Sequence, residues 1–381
     1  MWLCCKVHFY FNAFGATLQI LETANTLRKL TLPFSWLYGG FMSLRNWFFD
    51  KKLTRSFKFD FPVICVGNLS TGGTGKTPHI EFIISLLQSK YKLGVVSRGY
   101  GRKTMGFFVV DENSEATQVG DEPLQIKQNN PQTNVAVGEQ RIIAIPSLIN
   151  EAPDTQVILL DDAYQHRYVE AGMYILLSDY SKMFYDDAVL PVGNLREFKS
   201  GYKRANIIIV TKCPPSLGSA EKAAIKKKIN PLTHQQVYFS HLQYGHPYSL
   251  LDKQPLADDL KQKDVLFFAG IANAIPINEY LTENVNSFEL IKLPDHANYT
   301  KMGLESIGKS FEAFAGKNKI LLTTQKDAVK LAQSELKETI AKWPLYVLPL
   351  EIGMDVDDKQ HFANDIETYI QKELSTTIHT E

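Results

Sequence analysis

At 381 residues, with 44% apolar and 22% charged side chains, the chain is long enough for two globular cores and too hydrophobic to be disordered. Lysine plus arginine total 41, as do aspartate plus glutamate, so no overall basic field argues for a nucleic-acid partner. The four cysteines, Cys4, Cys5, Cys65 and Cys213, show neither CxxC nor metal-ligand spacing, and a reduced, cytosolic compartment fits them best.

Residues 1–21 are apolar and aromatic, yet they lack the basic start and small-residue cleavage site of a signal peptide. No run reaches the roughly 18 to 20 uninterrupted apolar residues needed to cross a bilayer. The stretch from Leu30 to Phe59 is dense in large apolar groups, including Phe34, Trp36, Leu37, Phe41, Trp47 and Phe48. Arg28, Lys29, Arg45, Lys51, Lys52, Arg55 and Lys58 accompany them, against Asp50 as the only acidic residue. A basic helix of this kind suits the interface of an anionic membrane. It equally suits packing on the chain's own domain, and composition alone favours that second reading.

After Phe59 the pattern changes to short β-branched runs separated by turns and helical stretches, the signature of an α/β fold with a mainly parallel sheet. Strands are predicted at Pro62–Val66, Leu93–Ser97, Phe107–Val110, Asn134–Val137, Val157–Asp161, Tyr174–Leu177 and Ile207–Thr211. Helices are predicted after Thr77, around Pro123–Gln128 and through Arg141–Leu148. Pro214-Pro215 and the basic run Lys222–Lys228 suggest the end of this domain. A second, smaller α/β domain follows, with strands near Val237–His241, Val265–Ala269, Phe288–Lys292, Lys319–Thr323 and Leu345–Leu348, and a closing helix over Asp357–Lys372. The expected division is an N-terminal segment 1–60, a nucleotide-binding domain 61–232, a second domain 233–350 and a C-terminal helix and tail 351–381.

Val63-Ile64-Cys65-Val66 runs into Ser70-Thr71-Gly72-Gly73-Thr74-Gly75-Lys76-Thr77. Glycines at such a turn let backbone N–H groups converge on phosphate oxygens, with Lys76 reaching the β- and γ-phosphates and the Thr77 hydroxyl placed on magnesium. Ser70 stands where GxxxxGK[ST] has its first glycine, which makes this a variant P-loop. Leu159-Leu160-Asp161-Asp162 ends a neighbouring apolar run; a carboxylate on a buried strand is costly without a cation, so Asp161 is the better metal ligand. Asp162 reads equally well as a cap for the next turn. Gly120-Asp121-Glu122-Pro123 on its own reads as a helix start. Arg98, Arg141 and Arg196 fall where the chain returns to the sheet's carboxyl edge, where guanidinium groups suit phosphoryl charge.

Taken together, these segments resemble the tetraacyldisaccharide 4'-kinase family. The likeness rests on Val66–Pro78, Ser97-Arg98-Gly99-Tyr100-Gly101, Val119–Pro123, Leu160-Asp161-Asp162-Ala163-Tyr164-Gln165-His166 and Leu190–Glu197. It continues through Phe268–Asn273, Pro294-Asp295-His296 and Thr323-Thr324-Gln325-Lys326-Asp327-Ala328, in family order. Ala163-Tyr164 replaces the more usual Gly-Phe, and Asn194 a frequent Pro. The resemblance implies a P-loop fold, ATP and Mg2+ as cofactors, and transfer of the ATP γ-phosphate to the 4'-hydroxyl of tetraacyldisaccharide 1-phosphate, a lipid acceptor. It implies Asp121 as catalytic base working with His296, Glu122, Asp161 and Thr77 on magnesium, and roles in activity for Lys76, Arg141 and Arg196. It also implies an N-terminal amphipathic membrane-interface helix and peripheral association with the cytoplasmic face of the inner membrane, with no obligate protein partner. A deviant P-loop ATPase acting as a membrane switch would need lysine where Thr71 stands, and a GTPase would need Asn-Lys-x-Asp where Thr211-Lys212-Cys213 stands.

Overall fold

The computed structural model describes residues 31–271, 273–294, 297–332 and 334–378. The apolar stretch 1–21, Asp295 and His296 lie outside the described residues.

The first half is an eight-stranded sheet. Its strands are β1 (Val63–Asn68), β2 (Leu93–Ser97), β3 (Phe108–Val110), β4 (Asn134–Val137), β5 (Val157–Asp161), β6 (Met173–Asp179), β7 (Ile207–Thr211) and β8 (Gln236–Phe239). They lie side by side as β8-β7-β6-β1-β5-β2-β4-β3, all parallel except β3 on β4. β1, β5 and β7 are buried along their whole length. Strands covered on both faces have no reason to alternate polar and apolar residues, which is why they read as continuous apolar runs. Helices α1 (Leu32–Asp50), α2 (Lys76–Leu87), α3 (Asp121–Asn129) and α4 (Arg141–Glu151) accompany this sheet.

One strand falls elsewhere than the spacing predicts. The run expected at Val237–His241 to open the second domain is β8, and it pairs in parallel with β7 at the edge of the first sheet. Pro214-Pro215 and the lysine run belong to one more crossover, α5 (Ser219–Ile229), whose Ile225 and Ile229 pack with Val237 and Phe239. The lysines face solvent and mask that anchor. The boundary expected at residue 232 therefore falls inside the first half.

The second half is a five-stranded sheet of β9 (Tyr248–Ser249), β10 (Asp264–Gly270), β11 (Ser287–Leu293), β12 (Lys319–Thr324) and β13 (Leu345–Leu348), ordered β9-β13-β12-β10-β11. Only β9 is antiparallel to its neighbour. Helices α6 (Ile275–Asn284), α7 (Lys301–Ala313) and α8 (Gln325–Leu331) connect these strands. The chain enters this half through His241–Tyr244 and leaves through Leu350–Gly353, and the two passes pair antiparallel. It then returns to the first sheet as α9 (Val356–Ile378), whose Phe362, Ile366 and Ile370 share a core with Ile64, Ile80 and Phe82. Tyr369 Oη donates to the Val63 carbonyl (3.0 Å) and accepts from its N–H (3.1 Å). The second half is thus an insertion between β8 and α9.

Helix α1 packs on the first half, but not through its apolar face. Trp36 and Leu37 are each 75% exposed and Phe41 67%. Contact is made by Ser35, Gly39 and Phe49, which are buried, and by polar bonds. Ser35 Oγ donates to Val189 O (2.9 Å), Tyr38 Oη to Arg196 O (3.0 Å), Arg45 to Gln165 O (3.0 Å) and Asn46 Nδ2 to Glu197 (2.7 Å).

Because α9 completes the first core, Phe362→Ala is expected to destabilise the protein by about 3–5 kcal/mol, read as a lowered urea midpoint. A midpoint unchanged from wild type would show that α9 is dispensable to that core.

Candidate active site

The phosphate loop lies at the carboxyl edge of the sheet, where open α/β sheets bind ligands. β1 ends at Asn68, whose Nδ2 donates to Thr74 Oγ1 (3.0 Å) across the loop. Thr71 N donates to Asn194 O (2.7 Å), so the 187–196 segment lies along the loop's outer side. Thr71, Gly72 and Gly73 are exposed while Thr74 and Thr77 are buried. At the head of α2, His79 Nδ1 sits 2.7 Å from Gly75 O and Nε2 3.0 Å from Ser240 Oγ. A carbonyl can only accept, so Nδ1 carries the proton and Nε2 accepts from Ser240. Burial pulls this imidazole down to about 4, which keeps it neutral.

β5 lies beside β1 with Asp161 opposite Val66. Asp161 is buried; its Oδ2 accepts from Ser97 Oγ (2.9 Å), while Oδ1 has no hydrogen-bond partner among the described residues. Burial, and then the neighbouring charges of Glu122 and Asp162, push its carboxyl up to about 7. Asp162, one residue on, has the opposite surroundings. Its φ of 46° turns it toward Lys76 Nζ (3.7 Å) and Arg196 (Nη1 3.0 Å, Nη2 3.3 Å). Burial alone would raise Asp162, but Lys76 and Arg196 outweigh it and hold the carboxyl below its ordinary value. A buried carboxylate with an orphaned oxygen beside a second acid suits a divalent cation. No group of three or more His, Cys, Asp or Glu among the described residues could hold a metal by itself. That donor set suits magnesium, which keeps several waters and shares the rest of its shell with nucleotide phosphates.

Asp121 opens α3, held there by Gly120. At φ 94° that residue packs so close to the 97–101 loop that a Cβ would come within 3.1 Å of Tyr100 O. Glu122, next along, acts electrostatically on Asp161. Asp121 Oδ2 is 2.8 Å from Lys330 Nζ, a residue of the second half.

The structure thus brings Lys76, Thr77, Asp161, Asp162 and Arg196 together and sets Asp121 and Glu122 beside them. Arg141 opens α4 just beyond β4, at the carboxyl edge of the sheet where its position in the chain predicts it, and is buried there. Its side chain is 2% exposed, with Nη2 donating to Asp161 O (3.1 Å) and Nη1 to Gly138 O (2.8 Å). Backbone carbonyls hold this guanidinium underneath the acidic pair. Arg98 is exposed on its loop. Lys330 carries no signal in the sequence that marks it, because it matters through a contact with a residue far along the chain, and Ser97, though part of a matched segment, shows its role only in its bond to Asp161. Asp162 had a signal in its adjacency to Asp161, but only the turn geometry shows which way it points.

A strand, a phosphate loop and a helix, with paired acids ending the adjacent strand, define a nucleotide-dependent enzyme of the P-loop class. The model of the Tetraacyldisaccharide-1-P 4'-kinase family matches residues 27–371, and the chain belongs to that family. A tetraacyldisaccharide 4'-kinase of Flavobacterium johnsoniae is 44% identical over 350 residues, covering 92% of this chain and 99% of the relative. One from Phocaeicola vulgatus is 39% identical, covering 91% and 96%. The fold matches a crystal structure of the "apo" form of LpxK from Aquifex aeolicus in complex with ATP, with a TM-score of 0.70 at 26% identity over 90% of this chain and 99% of that one.

Asp161→Asn removes a buried charge that lacks a cation in the metal-free protein. It is expected to stabilise that form by about 1 kcal/mol, read as a higher melting midpoint without magnesium, while phosphoryl transfer is lost. A lower midpoint would show that the ionised carboxylate is paired already.

Proposed function

We propose that this chain transfers the γ-phosphate of ATP to the 4'-hydroxyl of tetraacyldisaccharide 1-phosphate. The observation that carries the reading, beside family membership, is the cleft itself: Lys76 and the orphaned carboxylate oxygen of Asp161 stand at one edge with Asp121-Glu122 beside them. The loop amides of 70–76 and Lys76 cradle the β- and γ-phosphates. Thr77, Glu122 and Asp161 are the residues that would hold magnesium, which when bound neutralises phosphate charge. The acceptor oxygen attacks the γ-phosphorus in line, the bond to the bridging oxygen of ADP breaks, and the hydroxyl proton passes to Asp121, with His296 as its partner. Arg196 balances Asp162 and lies where it can meet developing phosphoryl charge, and Arg141 supports the acidic pair from below.

The acceptor is multiply acylated and stays in the bilayer, which gives the exposed apolar face of α1 an occupant. Among the described residues no helix is long and apolar enough to cross a membrane. α1 lies in the interface of the cytoplasmic leaflet, with its indoles at headgroup depth, and the enzyme is peripheral.

Two experiments test this. Incubation with labelled ATP and tetraacyldisaccharide 1-phosphate is expected to yield labelled lipid, and Asp121→Ala and His296→Ala to abolish it while ATP binding survives; ATP turnover without labelled lipid would sink the assignment. Trp36→Ser/Leu37→Ser/Phe41→Ser is expected to weaken co-sedimentation with anionic vesicles by about tenfold or more while the fold persists, because about 1.5–3 kcal/mol of burial is lost per large apolar side chain. Undiminished vesicle binding would place the membrane contact elsewhere.

A further inference from the structure

The segment Thr323–Ala328 stands out in the sequence, yet no residue of it enters the cleft chemistry. What it builds is α8. Thr324 caps that helix by accepting from Asp327 N (3.2 Å), and Asp327 Oδ2 accepts from Gly270 N (3.1 Å), tying the helix start to the end of β10. α8 then packs against α3 of the first half. Its Ala328 and Leu331 belong to the second half's core, but Val329 is buried in the first half's core with Val119, Leu124 and Ile126. Between them sits Lys330, 6% exposed, with Nζ ion-paired to Asp121 Oδ2 (2.8 Å) and donating to the carbonyl of Ala297 (3.1 Å).

Packing does not call for a lysine here. A buried ion pair is about neutral for stability beside an apolar residue of similar volume, and a methionine would fill the same space. The geometry does call for one. We propose that Lys330 is the positioning residue for Asp121: it fixes the carboxylate's orientation toward the acceptor, so the catalytic base is completed only by the second half of the chain. This rests on reading Asp121 as the base.

The test uses the full chain, ATP and the lipid acceptor in mixed micelles. Lys330→Met is expected to lower kcat about a hundredfold, the scale of a misplaced reacting group, with KM for ATP unchanged. Lys330→Arg, which keeps the charge, is expected to recover much of that loss; an arginine variant no better than methionine overturns the inference. In the Asp121→Asn background, whose residual transfer is read over long incubations with labelled ATP at high enzyme concentration, Lys330→Met is expected to cost nothing further, and an additional drop overturns it. The double variant removes both partners of this ion pair, so this comparison holds even if Lys330→Met alone fails to fold. Asp121→Asn retaining full kcat would remove the base reading itself. Asp121→Asn inactive beside a fully active Lys330→Met removes this inference alone.

Discussion

The cleft depends on the parallel pairing of β1 with β5. That register sets Asp161 opposite Val66, so two carboxylates stand where β1 gives way to the phosphate loop. A slip of one residue would turn Asp161 to the other face of the sheet. From this one constraint two neighbouring acids acquire opposite electrostatics. Asp161 stays on the strand, dry and short of one partner, and its carboxyl rises; Asp162 leaves the strand at positive φ and meets two cations. Lys76 and Arg196 would repel one another at the phosphate site, and the carboxylate between them lets both remain.

Helix α1 inverts the usual logic of a surface helix, in which the apolar stripe meets the core. Small and polar residues, with Phe49 and Tyr38, hold α1 to the protein, and Phe34, Trp36, Leu37 and Phe41 are left outward. Each large apolar side chain kept out of a core forgoes about 1.5–3 kcal/mol of burial. The attachment is also not remote from the chemistry. Tyr38 bonds the backbone of Arg196 and Asn46 bonds Glu197, so the segment that presents Arg196 to Asp162 is gripped on its other side by α1.

Much of this was legible in the chain. The buried parallel strands announce themselves as β-branched runs, and the phosphate loop by its glycines between strand and helix. Both are local signals. Less legible were features that depend on partners distant in sequence. The lysines of α5 suggested a boundary where Ile225 and Ile229 were closing one more unit onto the sheet. The apolar residues of α1 are countable, but composition points all of them inward, whereas the contact is made by Phe49 and Tyr38 together with a serine, a glycine, an arginine and an asparagine that look unremarkable in a sequence. Arg141 does stand at the carboxyl edge, but its burial there on three carbonyls, from Gly138, Glu139 and Asp161, is not a local signal.

The insertion of the second half ties its placement to the phosphate loop by a route separate from α8. Ser240 is the residue between β8 and the strand that leads into the insertion, and its hydroxyl bonds His79, whose other ring nitrogen bonds Gly75 of the loop. Ser240 is itself fixed in the sheet, its N–H donating to Val210 and its carbonyl accepting from Cys213. A neutral, buried imidazole can bridge a carbonyl and a hydroxyl in one direction only, so the loop's last carbonyl and the start of the insertion are held in a defined relation. With α8 anchored in both cores and the two connecting passes paired to each other, the second half is attached at its root and at its contact with α3. Lys330 of α8 thereby meets Asp121 from a half whose own root helps to shape the phosphate loop.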